Sequence, residues 1–274
     1  MVSKERFFSA TLIIALTILA VVNKWVFIVA LVGLITAALF EFYTIIKIKG
    51  IPVFRNTGLI IAAAIPLSIF FDLNLGGRWD SFFILLVFLI TFVLQFARND
   101  TADAITAIAA TLFGVLYVGW FFSYLIKVRA MLPDMQGVKL LAFLLIVTKI
   151  ADIGALIIGS RFGKRRLMPK ISPNKTVEGY LGGVTFSVIA AIAFKSFLPA
   201  HLEFPIWHVI FIGFFFSTLG QMGDLAESLI KRDCNVKDSG NIIPAFGGIL
   251  DTIDSLLFCA PAFYFYMSAL MQTG

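Results

Sequence analysis

The sequence predicts an all-α fold, a polytopic transmembrane helical bundle of about nine spanning helices. Two features of composition and one of pattern carry that reading. Of 274 residues, 60% are hydrophobic and only 14% charged, with a mean hydropathy of +0.97. A soluble domain runs nearer a quarter charged, because its surface has to be solvated. Apolar runs of about 20 residues, each enough to cross a bilayer as a helix, follow one another with short polar joints. No strand-like alternation and no internal repeat interrupts them. Thirty Phe residues and little loop sequence leave no sizeable soluble domain.

The first expected span, 6–22, follows Lys4 and Arg6 and has the charge-then-apolar form of a cleaved export signal. Ala20-Val21-Val22-Asn23 offers no small-x-small cleavage site, and a second apolar run begins at Trp25. A retained helical hairpin is therefore expected. The second span, 25–46, holds Glu41, which reads as a packing or interfacial acid before it reads as part of a site. The third, 57–72, is short and carries Pro66, which predicts a kink or an incomplete crossing. Spans at 81–97 and 103–126 complete an N-terminal region, 1–137. A C-terminal region, 138–274, adds spans at 138–159, 179–198, 206–227 and 248–271, with polar loops at 160–178 and 228–247. The chemistry is expected there.

A net charge of +6 suggests an anionic partner. The basic residues sit between apolar runs, so topology and an anionic lipid or nucleotide account for them better than nucleic acid does. With the N-terminus inside, fifteen Lys and Arg fall on the cytoplasmic side and six on the other, leaving Lys149 within a span. The positive-inside rule then puts both polar loops on the cytoplasmic face. Cys234 and Cys259 imply no disulfide framework.

Charges inside the spans are the informative residues, since an ionised group at mid-bilayer costs about 2.5–3.5 kcal/mol even on the lenient insertion scale. Lys149 and Asp152 are three apart and share a helix face. They read either as a self-neutralising ion pair or as the polar wall of a cavity. Asp224, Glu227, Ser228 and Lys231 lie on one stripe at the end of the eighth span. Asp251 and Asp254, also three apart, open the ninth. Two acidic faces joined by one loop repel unless a cation lies between them, and hard oxygen ligands near phosphate suit Mg²⁺. The alternative, favourable charge at a helix N-terminus, accounts for one of the last two acids but not for those across the loop.

The loops carry groups suited to phosphate. Lys231, Arg232 and Lys237 can offset its charge, Arg232 by a fork of donors and the lysines as point charges. Gly247-Gly248 lets backbone approach an anion closely at the start of a helix. In the other loop, Lys164, Arg165 and Arg166 read first as topology determinants. Within Ser172-Pro173-Asn174-Lys175-Thr176-Val177-Glu178-Gly179, Ser172 is placed to cap a turn. Lys175 is a phosphate candidate, or else the simple partner of Glu178.

These residues resemble the phosphatidate cytidylyltransferases, or CDP-diacylglycerol synthases. The resemblance rests on Gly223-Asp224-Leu225-Ala226-Glu227-Ser228, then Lys231, Arg232, Lys237, Asp238, Gly240, Pro244, Gly247, Gly248, Asp251 and Asp254, together with Ser172 to Gly179. It is strong over about 148–262 and rests on topology before that. Phe246 and Thr252 stand where the family form has His and Arg. The resemblance implies a Mg²⁺-dependent reaction of CTP with phosphatidate that gives CDP-diacylglycerol and pyrophosphate at a multi-pass protein of the inner membrane. It implies chemistry at Asp224, Lys237, Asp238, Asp251 and Asp254, with Asp224, Asp251 and Asp254 at the metal. Asp152, Ser172, Lys175, Glu178, Glu227, Ser228, Lys231, Arg232, Gly247 and Gly248 are then expected on the substrate side. No side-chain base is needed, and His201 and His208 fall on the external side. A homodimer is compatible with the sequence. Another CTP-using lipid transferase or a polyprenol kinase is the nearest rival. An ion-coupled transporter is disfavoured, because the polar residues crowd into one half rather than pairing across two.

Overall fold

The computed structural model describes residues 15–71, 79–98, 101–200, 202, 204–242 and 247–273. Most of the expected first span, and with it His201, Pro244 and Phe246, lies outside the described residues. Each later expected span is met by a helix. Residues 15–22 are helical (α1), followed by α2 (Lys24–Ile48), α3 (Arg55–Phe70) and α4 (Trp79–Arg98). Then come α5 (Ala104–Gly114), a π-helical turn (Val115–Trp120), α6 (Phe121–Ala130) and α7 (Asp134–Phe162). The series ends with α8 (Val177–Ala193), α9 (Ile206–Asp233) and α10 (Ile249–Thr273).

Among the described residues, five helices are long and apolar enough to cross a membrane: Lys24–Ile48, Ala104–Ala130, Asp134–Phe162, Ile206–Asp233 and Ile249–Gln272. Arg55–Phe70, Phe82–Arg98 and Val177–Ala193 are apolar but shorter. At 1.5 Å per residue, the 16 residues of α3 and the 17 of α8 rise roughly 25 Å, less than the ~30 Å hydrocarbon core. The chain is an all-α integral membrane protein, and among the described residues five helices have the length and hydropathy for a full crossing.

One element departs from the sequence reading. Residues Arg166–Met168 (β1) and Ser172–Thr176 (β2) form an antiparallel hairpin, with Arg166 opposite Thr176 and Met168 opposite Ser172. The strands are too short for alternation to register as a pattern. Ser172 therefore sits in a strand. The cap of α8 is Thr176, whose side chain accepts the Gly179 N–H at 3.1 Å.

The chain packs as two compact units. The first joins Met1–Ile126 with Asp233–Thr252, and the second joins Lys127–Arg232 with Ile253–Gly274. In the first, Phe54, Ile61, Ile65, Val87, Ala107 and Val115 form a buried apolar cluster. The Tyr43 hydroxyl donates to the Thr111 carbonyl at 2.8 Å, tying α2 to α5 without leaving a polar group unsatisfied in the apolar interior. In the second, Phe216 packs edge-on against Phe263 at 5.2 Å. The buried Ser187 hydroxyl lies 3.3 Å from the Val147 carbonyl and 2.9 Å from that of Gly213, joining α8 to α7 and α9. These contacts hold α7, α8, α9 and most of α10 as one scaffold for the charged residues described next.

Candidate active site

In the second unit the charged side chains gather around Asp254, which is buried on α10. The charged groups within electrostatic range of it are Asp224 of α9 and Lys149 and Asp152 of α7. A close approach of helices makes this gathering feasible. A Cβ added at Gly223 would stand 2.5 Å from the Asp254 carbonyl oxygen, so only glycine admits α10 this near to α9. Lys149 Nζ donates to Asp152 Oδ2 at 3.1 Å and to Ser255 Oγ at 3.0 Å, and Ser255 Oγ also lies 3.1 Å from Asp152 Oδ2. The ion pair of the first reading exists, and it reaches the helix that carries Asp254. Ser255, passed over in the sequence, completes the bridge. Its position next to Asp254 on a helix was the available signal.

Asp224 is held from two directions. Lys175 Nζ stands 2.6 Å from its Oδ2, and the Ser228 hydroxyl lies 3.4 Å from its Oδ1. Lys175 does not pair with Glu178. Instead, Glu178 Oε2 accepts the backbone N–H groups of Lys164 and Arg165 at 3.0 and 3.1 Å and anchors the base of the hairpin. The hairpin tip is tied to α9 by Arg232, whose Nε donates to the Ile171 carbonyl at 3.2 Å. Glu227 and Lys231 form a buried ion pair one turn apart on α9. The stripe expected on α9 therefore splits into an Asp224–Ser228 pair facing Lys175 and a Glu227–Lys231 ion pair.

In the first unit, Asp251 organises the loop that precedes it. Its Oδ2 accepts Gly248 N–H at 2.8 Å, Ser239 N–H at 3.1 Å and the Ser239 hydroxyl at 3.0 Å. Gly247 has φ +92°, a conformation L side chains rarely adopt, and a Cβ at Gly248 would collide with Ser239 Oγ and Glu41 Oε2. Thr252, where the resembled family has Arg, turns its hydroxyl back to the Gly248 carbonyl at 3.0 Å. Lys237 and Asp238 are exposed on this loop. Glu41, a buried acid of α2, accepts Ile249 N–H at 3.0 Å, Leu250 N–H at 2.9 Å and the Ser239 hydroxyl at 3.0 Å. Expected to pack or to lie at the interface, Glu41 instead joins Ser239 to the first turn of α10.

Among the described residues, no group of three or more His, Cys, Asp or Glu side chains is arranged to hold a metal ion. Three acids (Asp254, Asp224, Asp152) and two lysines (Lys149, Lys175) nevertheless share the second-unit cluster. Like charges confined away from water are relieved by a cation. Mg²⁺ takes one or two carboxylates and fills its shell with phosphate oxygen and water, so Asp224 and Asp254 suit it without a third protein ligand.

Residues 4–270 match the model of the cytidylyltransferase family. The chain belongs to the cytidylyltransferase family. Among curated cytidylyltransferases it is 34% identical to the phosphatidate cytidylyltransferase of Bacillus subtilis over 269 residues, 97% of either chain. It is also 34% identical to that of Synechocystis sp., over 97% of either chain. That of Staphylococcus saprophyticus is 38% identical over 190 residues, 69% of this chain and 68% of the relative. The match to the cytidylyltransferase family model runs through the N-terminal helices as well as the motifs, so it includes the helix that carries Glu41.

Proposed function

We propose that this chain transfers the cytidylyl group of CTP to phosphatidate, releasing pyrophosphate and forming CDP-diacylglycerol. The observation that carries the reading is the charge cluster of Asp254, Asp224, Asp152, Lys149 and Lys175, in a chain that aligns over nearly its whole length with phosphatidate cytidylyltransferases. A phosphatidate oxygen attacks the α-phosphorus of CTP in line, a new P–O bond forms, and the bond to the β-phosphate bridging oxygen breaks. The nucleophile is already anionic, so the protein's contribution is positioning and charge neutralisation. Asp224 and Asp254 would hold Mg²⁺, which would supply charge neutralisation at the phosphates. Lys175 holds Asp224 in place and turns to phosphate when the substrate arrives. Lys231, Arg232, Lys237 and Asp238 serve the substrate from the 228–247 region, and Asp251 ties Ser239 to Gly248. Asp152 and Lys149 balance the cluster from α7. The protein acts in the inner membrane, as a monomer or a homodimer, with the site open to the cytosol, where CTP is found.

The test is pyrophosphate release by purified protein in detergent micelles containing phosphatidate. Release requires CTP, phosphatidate and Mg²⁺ together, and Asp254→Asn lowers kcat by about 10²–10³ because a preorganised charge at the reacting phosphate is lost. Undiminished turnover by Asp254→Asn, or by wild type after chelation of divalent ions, contradicts the assignment.

A further inference from the structure

A carboxylate in an apolar helix is retained only where donors compensate it. Glu41 on α2 is buried, and its two oxygens take the Ile249 N–H, the Leu250 N–H and the Ser239 hydroxyl at 2.9 to 3.0 Å. The first N–H groups of a helix lack intrahelical acceptors and form a natural seat for an anion. In α10 that seat is filled from within: Glu41 takes Ile249 and Leu250, and Asp251 takes Gly248. The two acids also share Ser239, which lies on the far side of the loop from the helix. Gly247 and Gly248 are small because these carboxylates occupy the space a side chain would need. The Gly248, Ile249 and Leu250 N–H groups are thus already taken by carboxylates of the chain itself. The face of the loop left to a phosphate is the exposed one bearing Lys237 and Asp238.

We infer that Glu41 is a positioning residue, which fixes Ser239 and the first turn of α10 so that the triphosphate of CTP meets Lys237, two residues before Ser239, on backbone already held. The inference rests on the nucleotidyl-transfer reading above. Without Glu41, the Ile249 and Leu250 N–H groups lose their acceptor and Ser239 keeps only Asp251, so CTP has to order this backbone as it binds. Phosphatidate binding carries no such cost. A loss confined to CTP separates this role from general destabilisation, which would degrade both substrates together.

The experiment compares wild type with Glu41→Gln and Glu41→Ala in micelles, by steady-state kinetics and by the rate of trypsin cleavage after Lys237. Glu41→Gln keeps the volume, so it decides the matter where Glu41→Ala fails to fold. The expected result is a KM for CTP raised at least about tenfold, with the KM for phosphatidate within about twofold of wild type. Cleavage after Lys237 is faster in the same variant, and bound CTP slows it. An unchanged KM for CTP, equal rises in both KM values, or cleavage at the wild-type rate overturns the inference. Wild type that makes no lipid product from CTP refutes the nucleotidyl-transfer reading, and the cleavage comparison still judges Glu41 on its own.

Discussion

Buried acids in this chain differ in what compensates each of them. Glu227 has Lys231 one turn away on the same helix, and the two form a buried ion pair. Removing one member leaves the other charge stranded, which costs about 3–5 kcal/mol. Glu227→Ala is therefore expected to lower the unfolding midpoint in detergent sharply. The double variant Glu227→Ala with Lys231→Met recovers most of that loss. A single variant as stable as wild type would contradict the burial of the pair. Asp254 is different, since two further carboxylates stand near it and Lys149 already serves Asp152. Spacing in the sequence revealed which acids share a helix face, including Asp224 with Glu227 and Asp251 with Asp254. It did not reveal partners. Lys175 chose Asp224 rather than the nearby Glu178 because hairpin and helix α9 meet in space, and no local spacing encodes that meeting.

At the scale of elements, the joint between hairpin and helix carries Lys175 to Asp224. Thr176 ends β2 and caps α8 at once, so the strand register and the start of the helix are set by the same residue. Losing a Ser or Thr cap costs about 0.5–2 kcal/mol. Thr176→Ala is expected to speed amide exchange at Gly179 and Tyr180, with little effect at the far end of α8. Uniform exchange along α8, equal to that of wild type, would refute the capping role. Helices were legible from apolar run length alone, and every expected span that falls on described residues is helical. The hairpin was not legible, because strands of three and five residues leave no period to read. The basic run there was assigned to topology, and the structure gives Arg165 and Lys164 the added task of meeting Glu178 through their backbone.

The whole molecule is organised differently from its sequence halves. Residues 233–252 pack with the N-terminal helices, so the motif-bearing loop is built on a scaffold that the motifs themselves do not announce. This is why Glu41, some two hundred residues upstream, was read as a packing acid: the donors that give it meaning lie in another part of the chain. The acids around Asp254 and the donors of Ser239 and Gly248 gathered on Asp251 are both put to use in the proposed transfer of a cytidylyl group. Fate of label from CTP tests this most directly. Purified protein with phosphatidate and Mg²⁺ is given CTP labelled at either the α- or the γ-phosphate, and the lipid is extracted. The account predicts label in lipid from the α-position alone, with the γ-label recovered as pyrophosphate. Label in lipid from the γ-position, or from neither, would contradict it.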